Sequence, residues 1–203
     1  MAGGITRREF LKGTGGALAG AALPAGASRA AGSAAGPSAA REETPHSGPR
    51  EILIEVNGVR RAVTVEPQMT LADALRGPLD LMGTKIGCDR GACAACTVWI
   101  DRVPVLACMT LALDVGARKV VTIEGLAQGE ALHPVQEAFV AHDAMQCGFC
   151  TPGMVMTSAA LLEANPHPSA AEVKAALAGH LCRCGSTPHA IEAVLDVARA
   201  AKG

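Results

Sequence analysis

The stretch KIGCDRGACAACTVWI, residues 85–100, holds Cys88, Cys93 and Cys96 in the spacing C-x4-C-x2-C, and a fourth cysteine, Cys108, follows after eleven intervening residues. Four thiolates complete the coordination of one 2Fe-2S cluster, and this spacing is that of the plant-type ferredoxins. The residues between the cysteines are small: Gly87, Gly91, Ala92, Ala94 and Ala95. Backbone can therefore curl closely around a cluster and aim N–H groups at its sulfurs, where bulky side chains would block the approach.

The other four cysteines make a second set, Cys147, Cys150, Cys182 and Cys184, spaced C-x2-C-x31-C-x-C. They lie in MQCGFCTPGM (145–154) and GHLCRCGSTPHA (179–190), where Gly148, Gly153 and Gly185 permit tight turns and Pro152 suits the first turn of a helix. All eight cysteines are thus allocated, to two 2Fe-2S clusters. Competing readings of the same residues are a disulfide framework, two four-cysteine zinc sites and a redox C-x-x-C pair. Against disulfides, Cys182 and Cys184 stand too close in sequence to pair easily. A redox pair leaves six of the eight cysteines unexplained.

Working outward, Glu51–Val56 alternates apolar and polar residues, Asn57-Gly58 is a strong hairpin turn, and Val59–Val65 returns as the partner strand. Thr70 caps a short helix over Leu71–Arg76. Thr97–Ile100 and Lys119–Ile123 read as further strands, and Gly125–Gly129 as a link. Four helices follow: one opened by His133-Pro134, one from Pro152 to Asn165, one capped by Ser169 with Glu172, and one from Pro188 to Ala201. The cysteines fall in loops at helix ends, where backbone donors are free.

Taken in order, GTKIGCDRGACAACTVWIDRVPVLACMTLA (83–112), QCGFCTPGMVM (146–156) and LCRCG (181–185) resemble the iron-sulfur small subunit of the xanthine oxidase family of molybdenum hydroxylases. The resemblance covers roughly residues 50–200. It implies an α+β fold: an N-terminal β-grasp, ferredoxin-like 2Fe-2S domain over residues 50–126, then a C-terminal four-helix 2Fe-2S-binding domain over residues 127–203. It also implies a large molybdopterin-binding partner subunit and a further flavin (FAD) or cytochrome (haem) partner. Electrons then run from molybdenum to the Cys147 set, to the Cys88 set, and on to that partner, during oxidation of an aldehyde or an N-heterocycle. By the same resemblance Gln146 contacts the pterin; its own residue type makes it only polar and exposed. The chain departs from the family pattern at Ala94, where a glycine is usual, at His180, where an asparagine is usual, and at Gly185-Ser186-Thr187-Pro188 after the last cysteine. An alternative function is a free-standing two-cluster ferredoxin-like carrier. The helical second half argues against it, because such a carrier needs only one small cluster domain.

Residues 1–27 carry Thr6-Arg7-Arg8-Glu9-Phe10-Leu11-Lys12 followed by a Gly/Ala/Leu stretch. This reads as a twin-arginine export signal, too short and too rich in glycine for a stable membrane span, and it places the protein in the periplasm, exported already folded. Clusters assembled before export keep their thiolates bound in an oxidising compartment, which answers the disulfide objection. Residues 28–49 form an Ala/Gly/Ser/Pro-rich linker. The formal charge is −1 over 203 residues. The first 27 hold three basic residues and one acidic, so 15 basic and 18 acidic remain beyond them, a balance of −3. With no Tyr, one Trp and three Phe, the chain has neither the basic footprint nor the aromatic platform of a nucleic-acid binder. The six histidines, His46, His133, His142, His167, His180 and His189, read as surface or helix-end residues. Met145, Met154 and Met156 read as packing beside a cluster, and Asp89 and Arg90 as a solvated rim.

Overall fold

The computed structural model describes residues 48–201. The export signal and all but the last two residues of the linker lie outside the described residues.

A five-stranded mixed sheet opens the fold. Strand β1 (Arg50–Val56) and β2 (Val59–Val65) form the expected hairpin. Asn57 (φ 53°) and Gly58 (φ 77°) supply the two positive φ angles that a tight two-residue hairpin needs. Helix α1 (Leu71–Arg76) follows, capped as expected by Thr70, whose side chain accepts the Asp73 N–H. Strands β3 (Thr97–Ile100) and β4 (Val103–Leu106), a short helix α2 (Ala112–Val115) and β5 (Lys119–Val121) complete this half. The strand order is β2-β1-β5-β3-β4; β5 is parallel to β1 and antiparallel to β3.

Strand β5 is shorter than the sequence predicts. At Thr122 the chain leaves the sheet, because its N–H donates to Asn57 Oδ1 and its hydroxyl accepts from Asn57 Nδ2, each at 2.9 Å. A 3-10 turn over Ile123–Gly125 follows. Gly125 packs so tightly on the Asn57 side chain that a Cβ there would collide with its Oδ1.

Four helices make up the second half: α3 (Pro134–Ala141), α4 (Thr151–Ala164), α5 (Ala170–Leu177) and α6 (Thr187–Ala200). The capping box at Ser169 and Glu172 is present as expected. His133 opens α3 in the same way: its Nδ1 accepts the Val135 N–H, while its own N–H donates to Gln136. Among the described residues no helix is long and apolar enough to cross a membrane.

Strand β3 joins the halves. It is buried along its whole length, and alternation sends Val98 and Ile100 to one side and Trp99 to the other. Val98 and Ile100 pack with Ile54, Leu71, Leu75 and Val120 in a first core. Trp99 packs with Phe139, Met154, Met156, Leu177 and Val194 in a second core. Its indole N–H donates to the Met156 carbonyl of α4 at 2.9 Å, so the polar edge of the ring is satisfied inside that core. An Arg102–Glu163 ion pair at 2.8 Å ties the β3–β4 turn to the far end of α4.

Candidate metal centres

The first cysteine set gathers at one end of the β3–β4 hairpin. Thr97 pairs with Leu106, so Cys96, just before β3, and Cys108, in the 3-10 turn just after β4, emerge side by side. The long C-x11-C gap is therefore the length of a hairpin. Cys88 and Cys93 come from the preceding loop, and the Ala92 N–H donates to Cys88 Sγ at 3.1 Å. The entrance to that loop is clamped. Arg76 donates to the Met82 and Thr84 carbonyls at 3.0 and 2.7 Å. Glu124 accepts the Gly83 N–H at 2.7 Å. A Cβ on Gly87 would stand 3.0 Å from Cys93 Sγ, so the smallest residue occupies the position nearest that sulfur.

The second set comes from two helix-start loops. Cys150 is the N-cap of α4 with Cys147 one turn ahead of it, and Cys182 and Cys184 lie between α5 and α6. Cys147 is exposed and Cys150 buried.

None of the eight cysteines is in a disulfide. The thiols instead lie beside one another in twos: Cys88 by Cys93, Cys96 by Cys108, Cys147 by Cys184, and Cys150 by Cys182. Among the described residues no three His, Cys, Asp or Glu side chains converge on a single ion position. Grouping in twos suits a binuclear iron centre held by four thiolates.

The surroundings divide the thiols into some that are eased toward thiolate and some that are not. The Arg90 backbone N–H, aided by Cys93 and Ala92, lowers the Cys88 thiol to about 7. Burial pushes Cys96 and Cys150 up to about 12. Burial works against Cys182 too, but the Ser186 hydroxyl and N–H outweigh it and bring that thiol down to about 7. The Phe149 N–H lowers Cys147. Cys184 is raised, since the Cys147 N–H pulls it down but the Cys147 thiol, burial and neighbouring charge push harder. In both twos of the second set one thiol is thus lowered and its mate raised, and metal uptake must release the protons the thiols hold. The donor set and the cramped, amide-lined loops fit an iron-sulfur cluster at each place.

The two places adjoin. The Leu181 N–H, next to Cys182, donates to the Cys93 carbonyl at 3.2 Å. A cavity of 160 Å³ between the sets is lined by Cys93, Cys147, Cys150 and Cys182, with Phe149 and Leu181. Gly153 of α4 lies against the first loop so closely that a Cβ would collide with the Ala94 carbonyl and stand 3.1 Å from the Ala95 Cα.

Residues 54–113 match the family described as the 2Fe-2S iron-sulfur cluster binding domain, and residues 122–195 a second described as the 2Fe-2S binding domain. Residues 4–24 match the twin-arginine translocation pathway signal sequence. The chain is 51% identical over 154 residues to the nicotine 6-hydroxylase small subunit of Paenarthrobacter nicotinovorans, covering 75% of this chain and 93% of that one. It is 36% identical over 209 residues to the aldehyde oxidoreductase iron-sulfur-binding subunit PaoA of Escherichia coli O157:H7, covering 96% and 88%. Its fold superposes on a chain of quinoline 2-oxidoreductase from Pseudomonas putida 86 with a TM-score of 0.73 and 46% identity, covering 77% and 98%. The chain belongs to the iron-sulfur small subunits of the xanthine oxidase family of molybdenum hydroxylases. It carries two 2Fe-2S binding domains in an α+β fold, behind a twin-arginine export signal.

Gln146 is exposed beside Cys147. Met154 and Met156 are buried in the second core, while Met145 is 39% exposed. Asp89 and Arg90 are exposed, as a solvated rim requires. Ala94 does adopt the left-handed backbone (φ 55°) that glycine takes without strain. The surface reading of His180 is wrong. It is buried, its Nε2 lies 2.9 Å from Thr157 Oγ1, and desolvation lowers it to about 4. A histidine two residues before Cys182 falls inside the turn that closes the second site, which helix-end position alone does not reveal.

Gly153→Ala is expected to push α4 off the first cysteine loop. Overpacking of this kind costs about 1–3 kcal/mol. Thermal unfolding should shift down accordingly, and iron bound per chain should fall; unchanged stability and iron content would show that the contact tolerates a methyl group.

Proposed function

We propose that this chain relays electrons within a molybdenum hydroxylase complex whose large subunit oxidises an aldehyde or an N-heterocycle. The observation that carries it is the arrangement of eight thiols in two adjoining sets, joined by the Leu181–Cys93 hydrogen bond. Cys88, Cys93, Cys96 and Cys108 hold one cluster, and Cys147, Cys150, Cys182 and Cys184 the other. When bound, the clusters supply one-electron redox chemistry. The chain's own residues set the path: Cys93 and Cys182 are separated only by a carbonyl, one hydrogen bond and one peptide unit. The relatives are subunits of larger oxidoreductases, which favours a complex over a free-standing carrier.

The Cys147 side is the entry. Gln146 is exposed there, and Leu132, Val140, Met145 and Phe149 leave an apolar surface around it, an arrangement suited to a protein partner. On this reading the large molybdopterin subunit covers that surface and Gln146 hydrogen-bonds to the pterin. The exposed rim of Asp89 and Arg90 beside Cys88 faces the opposite partner, a flavin or cytochrome subunit. On this reading the assembled complex works in the periplasm, which the twin-arginine signal supports.

Three measurements check these assignments. Cys93→Ser should abolish one paramagnetic signal of the reduced protein and spare the other, because a hard alkoxide replaces a soft thiolate poorly on iron; loss of both signals or of neither contradicts the ligand sets. Gln146→Ala should slow substrate-driven reduction of the second cluster in rapid-mixing experiments, with the fold and the Cys88 site intact; an unchanged rate makes Gln146 a bystander. Changing both Arg7 and Arg8 to Lys should leave the chain in the cytoplasmic fraction, since the guanidinium pair is what the export machinery reads; normal export of that variant would rule out this address.

A further inference from the structure

Ser186 does not do what a serine at its position ordinarily does. It is the N-cap of α6, where a serine hydroxyl normally accepts a backbone N–H of the first turn. Here the backbone sits in the right-handed helical region (φ −77°, ψ −2°) and the side chain makes no capping bond. The hydroxyl instead lies 3.2 Å from Cys182 Sγ. The residue is only 7% exposed, so water does not compete freely for that contact. A thiolate bound to iron carries no proton, so in the loaded protein the hydroxyl must be the donor.

We propose that Ser186 is a positioning residue for electron transfer: its O–H···S hydrogen bond to Cys182 raises the reduction potential of the second cluster. The proposal rests on the two-cluster reading above. Reduction converts one Fe(III) to Fe(II) with one electron from a one-electron donor, the molybdenum centre in the complex or dithionite in the test. No covalent bond changes and no proton is required. The added negative charge spreads onto the thiolate sulfurs, so a donor aimed at one of them stabilises the reduced form more than the oxidised form. Cys150, the thiol that meets Cys182, is the N-cap of α4, a 14-residue helix whose positive end adds in the same sense. Because the Leu181 N–H donates to the Cys93 carbonyl, the favoured side of this site is the side that faces the first cysteine set.

The test is a redox titration of the assembled, cluster-loaded complex, following the paramagnetic signal of each cluster separately. Ser186→Ala should change the oxidised-to-reduced ratio of the second cluster about tenfold toward oxidised at a fixed potential, equivalent to about 59 mV for one electron. The first cluster should not move. Ser186→Thr, which keeps the hydroxyl, should titrate like the unmutated protein. Ser186→Val, which matches Thr in shape but lacks the hydroxyl, should titrate like Ser186→Ala, and this pair decides the matter if the alanine variant fails to fold. An unshifted second cluster, equal shifts in both clusters, or identical Thr and Val variants would overturn the proposal while leaving the clusters in place. Absence of both signals from the unmutated complex would instead overturn the two-cluster reading, and this proposal with it.

Discussion

A single strand serves two hydrophobic cores. Strand β3 is four residues long, and its period-two alternation commits Val98 and Ile100 to the sheet's own core and Trp99 to the helical core. The same strand begins one residue after Cys96, so the packing that joins the halves also fixes a cysteine of the first set. Trp99 can cross into the second core only because its N–H finds the Met156 carbonyl; an unpaired indole there would carry a desolvation penalty of about 1–3 kcal/mol. One turn earlier on α4, Gly153 meets the loop backbone at Ala94 and Ala95. These contacts hold the start of the helix, the Arg102–Glu163 pair holds its far end, and its N-cap is Cys150. Adjacency of the two cysteine sets follows from those contacts.

Much of this was legible in the sequence, for physical reasons that vary by element. Asn57-Gly58 announced its hairpin because both residues tolerate positive φ. Helix α5 announced itself through the Ser169/Glu172 capping box. Strand β4 was not legible. Its Val-Pro-Val-Leu sequence places a proline where a strand would lose a ladder bond, yet β4 lies at the sheet edge, where proline is tolerated. The turn before it uses Asp101 and Arg102, both with positive φ, in place of the glycine or asparagine that marks such turns. The early end of β5 was hidden for another reason: Asn57 and Thr122 are 65 residues apart, and only the folded sheet brings them together.

For the candidate sites, spacing grouped the cysteines but could not say which thiol meets which. The pairing of Cys88 with Cys93 and of Cys96 with Cys108 emerges from the loop and from the hairpin register. The buried environment of His180 and the diversion of the Ser186 hydroxyl to sulfur are equally tertiary. Position near a helix end suggests exposure for one and capping for the other, and packing around Cys182 overrides both.

The most direct measurement is of the metal itself: iron, zinc and acid-labile sulfide determined on the purified chain or complex, with spin quantification after reduction. Two 2Fe-2S centres require about four irons and about four sulfides per chain, and two distinguishable paramagnetic signals of about one spin each. Zinc in place of iron without labile sulfide, or iron sufficient for a single centre, would contradict the assignment of both cysteine sets.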